Sequence, residues 1–326
     1  MKRRIPILAA SILFLAPLGF TRFAFADAQR GTLVHEETIR ISPSADAARL
    51  GEAQRGHELI ILDTTRDWVH VEAILMAPSR EEGATDEEAE GKTITGWIPS
   101  KAFVASTTQD GDRIIFGEAA DSEDQASSRR GRRDAAQDAM RLYYRVYDLM
   151  PASPLAAEAL YRAADIRWQI ERSDVMTRPS ARQRESYMRG QMKEDWMKLV
   201  IKKYPTTKWA DLAAFRLLEN KLCGDWEGLS KCPDKEAEIY EKYAAEFPDG
   251  PRTAQALYLA VYRLAVLNDM YKADGSDKKA DEAHNRANDL LKRLRDKFPQ
   301  SDYTWRAGTV VFKLDQNVPV YGIDLQ

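Results

Sequence analysis

The chain has 326 residues, 44% of them hydrophobic and 30% charged, and a formal net charge of −3. That length accommodates two domains, each with its own core. The mild acidity argues against a nucleic-acid partner, because a polyanion is held through dense Lys and Arg.

The N-terminus carries an address. Lys2, Arg3 and Arg4 precede an apolar stretch from Ile5 to Phe20, and Ala24-Phe25-Ala26 puts small residues at both key positions of a signal-peptidase site. The pattern predicts a secretory signal over residues 1–26, cleaved after Ala26. An uncleaved membrane anchor is the alternative, but Pro6, Pro17 and Gly19 interrupt the stretch, which falls short of the roughly 20 residues a spanning helix needs. Lys2, Arg3, Arg4 and Arg22 leave with the signal and no acid does, so the formal charge moves from −3 to −7. The expected product is soluble, periplasmic or extracellular, with no integral membrane segment.

Residues 32–105 read as β structure. Thr38-Ile39-Arg40-Ile41 alternates, Leu59-Ile60-Ile61-Leu62 is a short apolar run, and Trp68-Val69-His70-Val71 and Thr95-Gly96-Trp97-Ile98 give two more strands. Ser42-Pro43-Ser44, Arg55-Gly56 and Arg66-Asp67 supply the turns. Short strands at this spacing predict a small all-β barrel.

The order of these residues resembles a bacterial SH3 domain. Ile39-Arg40-Ile41-Ser42-Pro43-Ser44, Leu50-Gly51, Arg55-Gly56, Asp67-Trp68-Val69-His70-Val71 and Gly96-Trp97-Ile98 follow that family's pattern over about seventy residues. The resemblance implies a contact with cell-wall peptide, or with a protein. Trp68 is expected in the core. Trp97 is either core or a barrel-edge contact residue, and it is the candidate binding residue of this half.

Residues 77–92 form an acidic insertion, with Glu81, Glu82, Asp86, Glu87, Glu88 and Glu90, expected to be a solvated loop between the last two strands. A calcium loop would want alternating oxygen ligands around a glycine, and the spacing is wrong for that. Residues 106–133 read as a linker ending in Arg129-Arg130-Gly131-Arg132-Arg133, a solvated hinge or a contact for anionic surfaces. Ile114-Ile115-Phe116 is the apolar patch able to pack back on a domain.

From Asp134 to the C-terminus the pattern is helical, with eight helices predicted near 134–149, 154–172, 186–203, 208–222, 234–246, 251–268, 278–297 and 302–314. Four copies of one motif punctuate them: Met150-Pro151-Ala152-Ser153, Tyr204-Pro205-Thr206-Thr207, Phe247-Pro248-Asp249-Gly250 and Phe298-Pro299-Gln300-Ser301. Each is followed in register by an alanine, Ala159, Ala213, Ala256 or Ala307. Ser153, Thr207, Gly250 and Ser301 suit the N-cap, and Pro154 and Pro251 the first helical turn. The repeat predicts stacked helical hairpins, an architecture that usually binds proteins. Its spacings are 54, 43 and 51 residues, so surplus chain is expected within each hairpin around 173–185, 223–233 and 269–277.

This half resembles the tetratricopeptide-like (TPR-like) repeats of secreted envelope proteins, the outer-membrane assembly lipoprotein (BamD-like) and Tol-Pal coordinator families. The resemblance implies a groove for a protein partner in the envelope. Tyr161, Trp168, Trp209, Tyr258 and Tyr262 are the candidate lining residues, set against the general tendency of helically spaced aromatics to form core.

Cys223 and Cys232 stand alone, with eight residues between them. In an oxidising compartment such a pair predicts a disulfide contributing roughly 2–3 kcal/mol. A metal site lacks a nearby His, and a catalytic thiol lacks a following strand with a His; the downstream His284 lies mid-helix. No nucleophile elbow, phosphate loop or dinucleotide fingerprint is present. No cofactor and no catalytic residue is assigned. The expectation is a non-enzymatic envelope adaptor, with a structural subunit of a periplasmic complex that does not bind the wall as the alternative.

Overall fold

The computed structural model describes residues 29–75, 92–177, 190–223, 226 and 228–320. The predicted signal, nearly all of the acidic insertion and most of the surplus around 173–185 lie outside them. The N-terminal part is antiparallel β and the remainder α-helical.

Among the described residues seven strands form one sheet: β1 Arg30–Leu33, β2 Glu37–Arg40, β3 Arg49–Ala53, β4 Glu58–Thr64, β5 Trp68–Leu75, β6 Lys92–Pro99 and β7 Phe103–Ala105. Their order is β3-β2-β6-β5-β4-β1-β7, and every pairing is antiparallel. The four expected strands are present. The additional β1, β3 and β7 are only three to five residues long, too short to show alternation. The expected barrel closure is not found: β3 and β7 are the two ends of an open ladder. One face holds the core, with Leu33, Ile39, Leu59, Val69, Val71 and Ile98 among its buried side chains.

Nine helices follow among the described residues: α1 Gly111–Ser127, α2 Ala135–Leu149, α3 Ala156–Thr177, α4 Asp195–Lys203, α5 Lys208–Arg216, α6 Lys231–Glu246, α7 Thr253–Ala273, α8 Asp277–Lys297 and α9 Asp302–Asp315. The residue before a proline is driven out of the helical region by clash with the proline ring. Met150, Tyr204, Phe247 and Phe298 obey this alike, with φ between −134° and −121° and ψ between 51° and 65°. The hydrogen bonds repeat too. The carbonyl of each of these residues accepts from the amide three on, at Ser153 (2.9 Å), Thr207 (3.2 Å), Gly250 (3.1 Å) and Ser301 (3.0 Å). The carbonyls of Ser153, Thr207, Gly250 and Ser301 accept in turn from the amides of Ala156, Ala210, Thr253 and Thr304 at 3.0–3.2 Å.

The side chains reinforce the turn. Ser153, Thr207 and Ser301 accept amide protons from Leu155, Ala210 and Tyr303. Where Gly250 has no side chain to offer, Thr253 donates its hydroxyl proton back to the Phe247 carbonyl, and Thr304 does the same to Phe298 at 2.6 Å. The four register alanines are fully buried. The tight turns therefore join α2 to α3, α4 to α5, α6 to α7 and α8 to α9. The surplus chain around 223–233 falls, as expected, between α5 and α6, in the stretch from one tight turn to the next. Around 269–277 it is absorbed by helix: α7 and α8 have 21 residues each, and three residues connect them.

The expected 106–133 linker is largely helix. Ile115, Ala119 and Ser122, spaced by four and three, give α1 one buried stripe against α2. The polar remainder of that stretch hid it. The same cluster takes in Val34, just past β1, and Val104 of β7, so the β part and the helices share apolar contact with Leu142 and Val146 of α2. Charges close this seam. Arg145 lies 3.1 Å from Glu58 and 2.7 Å from Asp148, and Arg30 pairs with both acids. Arg141 and Arg145 donate to the carbonyls of Arg55 and Gly56 at 2.9 and 3.1 Å. Gly56 has φ +74°, and a β-carbon there would stand 2.5 Å from that of Arg141. Only glycine meets both the left-handed turn and this approach. Independent motion of the halves, the default a polar linker implied, is replaced by a packed junction.

Two outcomes follow. Gly56→Val should lower stability by about 2 kcal/mol or more by wedging α2 from the sheet, while the same change at the open Gly117 of α1 should leave stability within about 0.5 kcal/mol, because valine is the better helix former of the two. Chemical denaturation of both variants checks the order. His57, beside the seam, is pushed down to about 4 by burial and by the charges of Arg141 and Arg145. A depressed histidine contributes stability that is intact above its unfolded value near 6.5 and is lost as pH falls toward 4. Thermal midpoints should drop across that window and drop less in His57→Gln.

Candidate functional site

Strand parity sorts the sheet residues. Val69, Val71 and Ala73 of β5 take the core, which turns Trp68, His70, Glu72 and Ile74 to the opposite face. Trp68 is half-buried there and is no part of the core cluster, contrary to expectation. On β6 the buried Gly96 and Ile98 put Trp97 on that face, and buried Ile39 puts Arg40 there from β2. Register aligns them: Arg40 opposes Trp97, Trp97 opposes His70, and His70 opposes Asp63 of β4. A cation, an indole, an imidazole and a carboxylate thus form one row across four adjacent strands. The Trp97 and His70 rings stack with centroids 4.7 Å apart and planes 13° from parallel. Arg40 donates to the Ala47 carbonyl at 2.8 Å, pinning the loop beside the row. The row offers a flat aromatic surface flanked by donors and acceptors. Of these residues the sequence singled out Trp97 alone; the parity of β5 was the signal for His70 and Trp68.

The helical candidates divide. Trp168 is 1% exposed, its indole N–H donating to Glu219 at 3.0 Å. Tyr258 and Tyr262 are 7% exposed in the core joining α6–α9. These three are packing residues and do not line an open groove. Their spacing follows the buried stripes of α3 and α7. Tyr161 and Trp209 are half-buried and packed together at 5.4 Å, with the Lys208 ammonium 4.4 Å from the Trp209 ring. Burial, followed by the charge of Asp165, pushes the Tyr161 hydroxyl up to about 12, so it stays protonated at neutral pH.

A larger opening lies elsewhere. A cleft of about 1020 Å3 runs between α3, the turn after α5, and α6–α7, lined by Met176, Met192, Phe215, Asn220, Ile239 and Leu259 among others. Cys223 and Cys232 stand on its wall, disulfide-bonded with Cα atoms 5.8 Å apart. Buried Glu236 braces the loop by accepting from the Cys223 amide at 3.0 Å and the Trp226 indole at 3.1 Å, and it pairs with Arg263. The bridge therefore shapes a cleft wall as well as shortening a loop. Both sulfurs are committed to it, which removes the thiol and metal alternatives for these two residues. Among the described residues no group of three His, Cys, Asp or Glu side chains converges as a metal site would, and no helix is long and apolar enough to cross a membrane.

The division of aromatics is measurable. Trp168→Ala should cost about 3–5 kcal/mol, as an emptied core site does. Trp97→Ala should cost about 1 kcal/mol, the order of a half-exposed stack. Urea denaturation of the two variants would show the reverse order if Trp97 were the core residue.

No family model and no curated protein matches the chain. Among solved structures, a crystal structure of a de novo designed helical repeat protein aligns with a TM-score of 0.23 at 17% identity, covering 64% of this chain and 94% of the other.

Proposed function

We propose that this protein is a non-enzymatic scaffold of the cell envelope, secreted across the inner membrane. Its SH3-like sheet contacts cell-wall peptide, and its TPR-like stack holds a protein partner in the cleft beside the disulfide. The observation that carries the reading is the row Arg40–Trp97–His70–Asp63 on the open sheet face. The disulfide suits an oxidising compartment, in keeping with the predicted secretory signal. Because sheet and helices share a seam, the scaffold acts as one body with two surfaces at a fixed separation. It does not act as two modules on a tether.

A second reading has its own support. The seam packs Val34 and Val104, at the β1–β7 end of the sheet, against α1 and α2, as a purely structural β unit would. In that case the protein is a subunit of a periplasmic complex without affinity for the wall.

Co-sedimentation of residues 27–326 with purified peptidoglycan separates the readings. The scaffold reading expects the chain in the pellet, and a loss of roughly tenfold or more in binding for Trp97→Ala and His70→Ala. A chain that stays in the supernatant removes wall binding and leaves the structural subunit.

A further inference from the structure

The row on the open sheet face has a polarity that its aromatic centre does not explain. Its end on β2 is cationic and its end on β4 is acidic, with Trp97 and His70 between them. Both end charges are open to a ligand. The Arg40 guanidinium bonds the Ala47 carbonyl and, among the described residues, no carboxylate. Asp63 is exposed, accepts the Thr64 amide at 2.7 Å and, among the described residues, pairs with no cation. The flanking charges keep this contrast. Arg49, which opposes Arg40 from β3, is met by Glu52 at 4.0 Å and so is answered within the sheet. Glu72, on the same face of β5 as His70 and opposite Ile60 and Thr95, adds a second carboxylate on the β4–β5 side.

Distance decides what can use both ends. Neighbouring strands lie about 4.8 Å apart, so the three steps from β2 through β6 and β5 to β4 set Arg40 and Asp63 about 14 Å from each other at the backbone. At that separation the two charges do not pair with each other. An extended chain advances about 3.4 Å per residue, so about four residues span the gap. A guanidinium favours a carboxylate, which it meets with two parallel N–H donors, and a carboxylate favours an ammonium. The stacked rings between them, with centroids 4.7 Å apart, offer a face for flat amide planes.

We propose that this row binds short peptides with free ends, laid across the strands in one direction: the terminal carboxylate at Arg40, the terminal ammonium at Asp63, and a span of about four residues. The inference deepens the scaffold reading and rests on its choice of this row as the contact surface. It narrows the ligand to peptide segments whose carboxylate and ammonium are both unblocked. A bare polysaccharide has neither group and is not held here.

The test titrates residues 27–326 with tetraalanine at about pH 7, where both peptide ends are charged. Binding is followed at the Trp97 indole N–H by NMR, the signal being assigned by its loss in Trp97→Phe. Acetylating the amino end or amidating the carboxyl end should each raise the dissociation constant roughly threefold or more. Dialanine should bind more weakly than tetraalanine, because it cannot reach both charges. The variants should cross: Asp63→Asn erases the penalty of acetylation and keeps that of amidation, and Arg40→Gln does the reverse. Misfolding would abolish binding of every peptide and cannot produce that pattern. A Trp97 signal unmoved by about 20 mM tetraalanine overturns the proposal, and so does binding indifferent to both blocking groups. Co-sedimentation with peptidoglycan is read separately. A chain that pellets while ignoring the end groups loses this inference and keeps the scaffold reading. One that discriminates the end groups and stays in the supernatant keeps the inference and loses wall binding.

Discussion

The architecture depends on the steric exclusion between a proline ring and the residue before it. That exclusion ends four helices at Met150, Tyr204, Phe247 and Phe298 with one shared backbone geometry. A carbonyl freed at each helix end then accepts from an amide three residues on, which begins the next helix. Chain reversal and capping are thus one event. The small register alanine brings the two helices close just after it, and the large aromatics fill the space farther along. Everything placed on the helices, the cleft included, inherits its position from these four turns.

The second organising contact is the seam between β1, β7 and α2. It combines apolar packing of Val34 and Val104 with a paired set of charges around Arg145. Burial opposes ionisation of Glu58, but hydrogen bonding from Arg30 and the charges of Arg145 and Arg30 outweigh it and hold the carboxyl below its ordinary value. The acid is therefore charged at neutral pH, and the seam is electrostatically committed there. Removing one partner would strand another, which is why such networks hold a docking angle more firmly than their net energy suggests.

Much of this was legible in the amino-acid order. The aromatic–proline copies announced the turns, the caps announced the helix starts, and the isolated cysteines announced their bridge. What stayed hidden was hidden for physical reasons. Helix α1 has one narrow apolar stripe and is otherwise polar, so only α2 and the sheet make it worth folding. The seam pairs Arg145 with Glu58 across 87 residues, and no local pattern encodes such a match. Trp168, Tyr258 and Tyr262 carry the same chemistry as Trp68, Trp97 and Trp209. Composition cannot divide aromatics into core and surface, whereas strand parity and helix phase can. The short strands β1, β3 and β7 form only because a neighbour offers its edge.

The unequal helices have a consequence for how this chain reaches its native state. Helix α7 spans about 31 Å and α5 about 14 Å at the usual rise. Arrays of identical units can fold out of register, one unit displaced along the row, because each interface satisfies the next. Here a displaced unit would set a two-turn helix against a six-turn one and leave most of the longer apolar stripe in water. The disparity in length works as a key that admits a single alignment. The turns are interchangeable, but the segments between them are not, so the order of assembly is written in length.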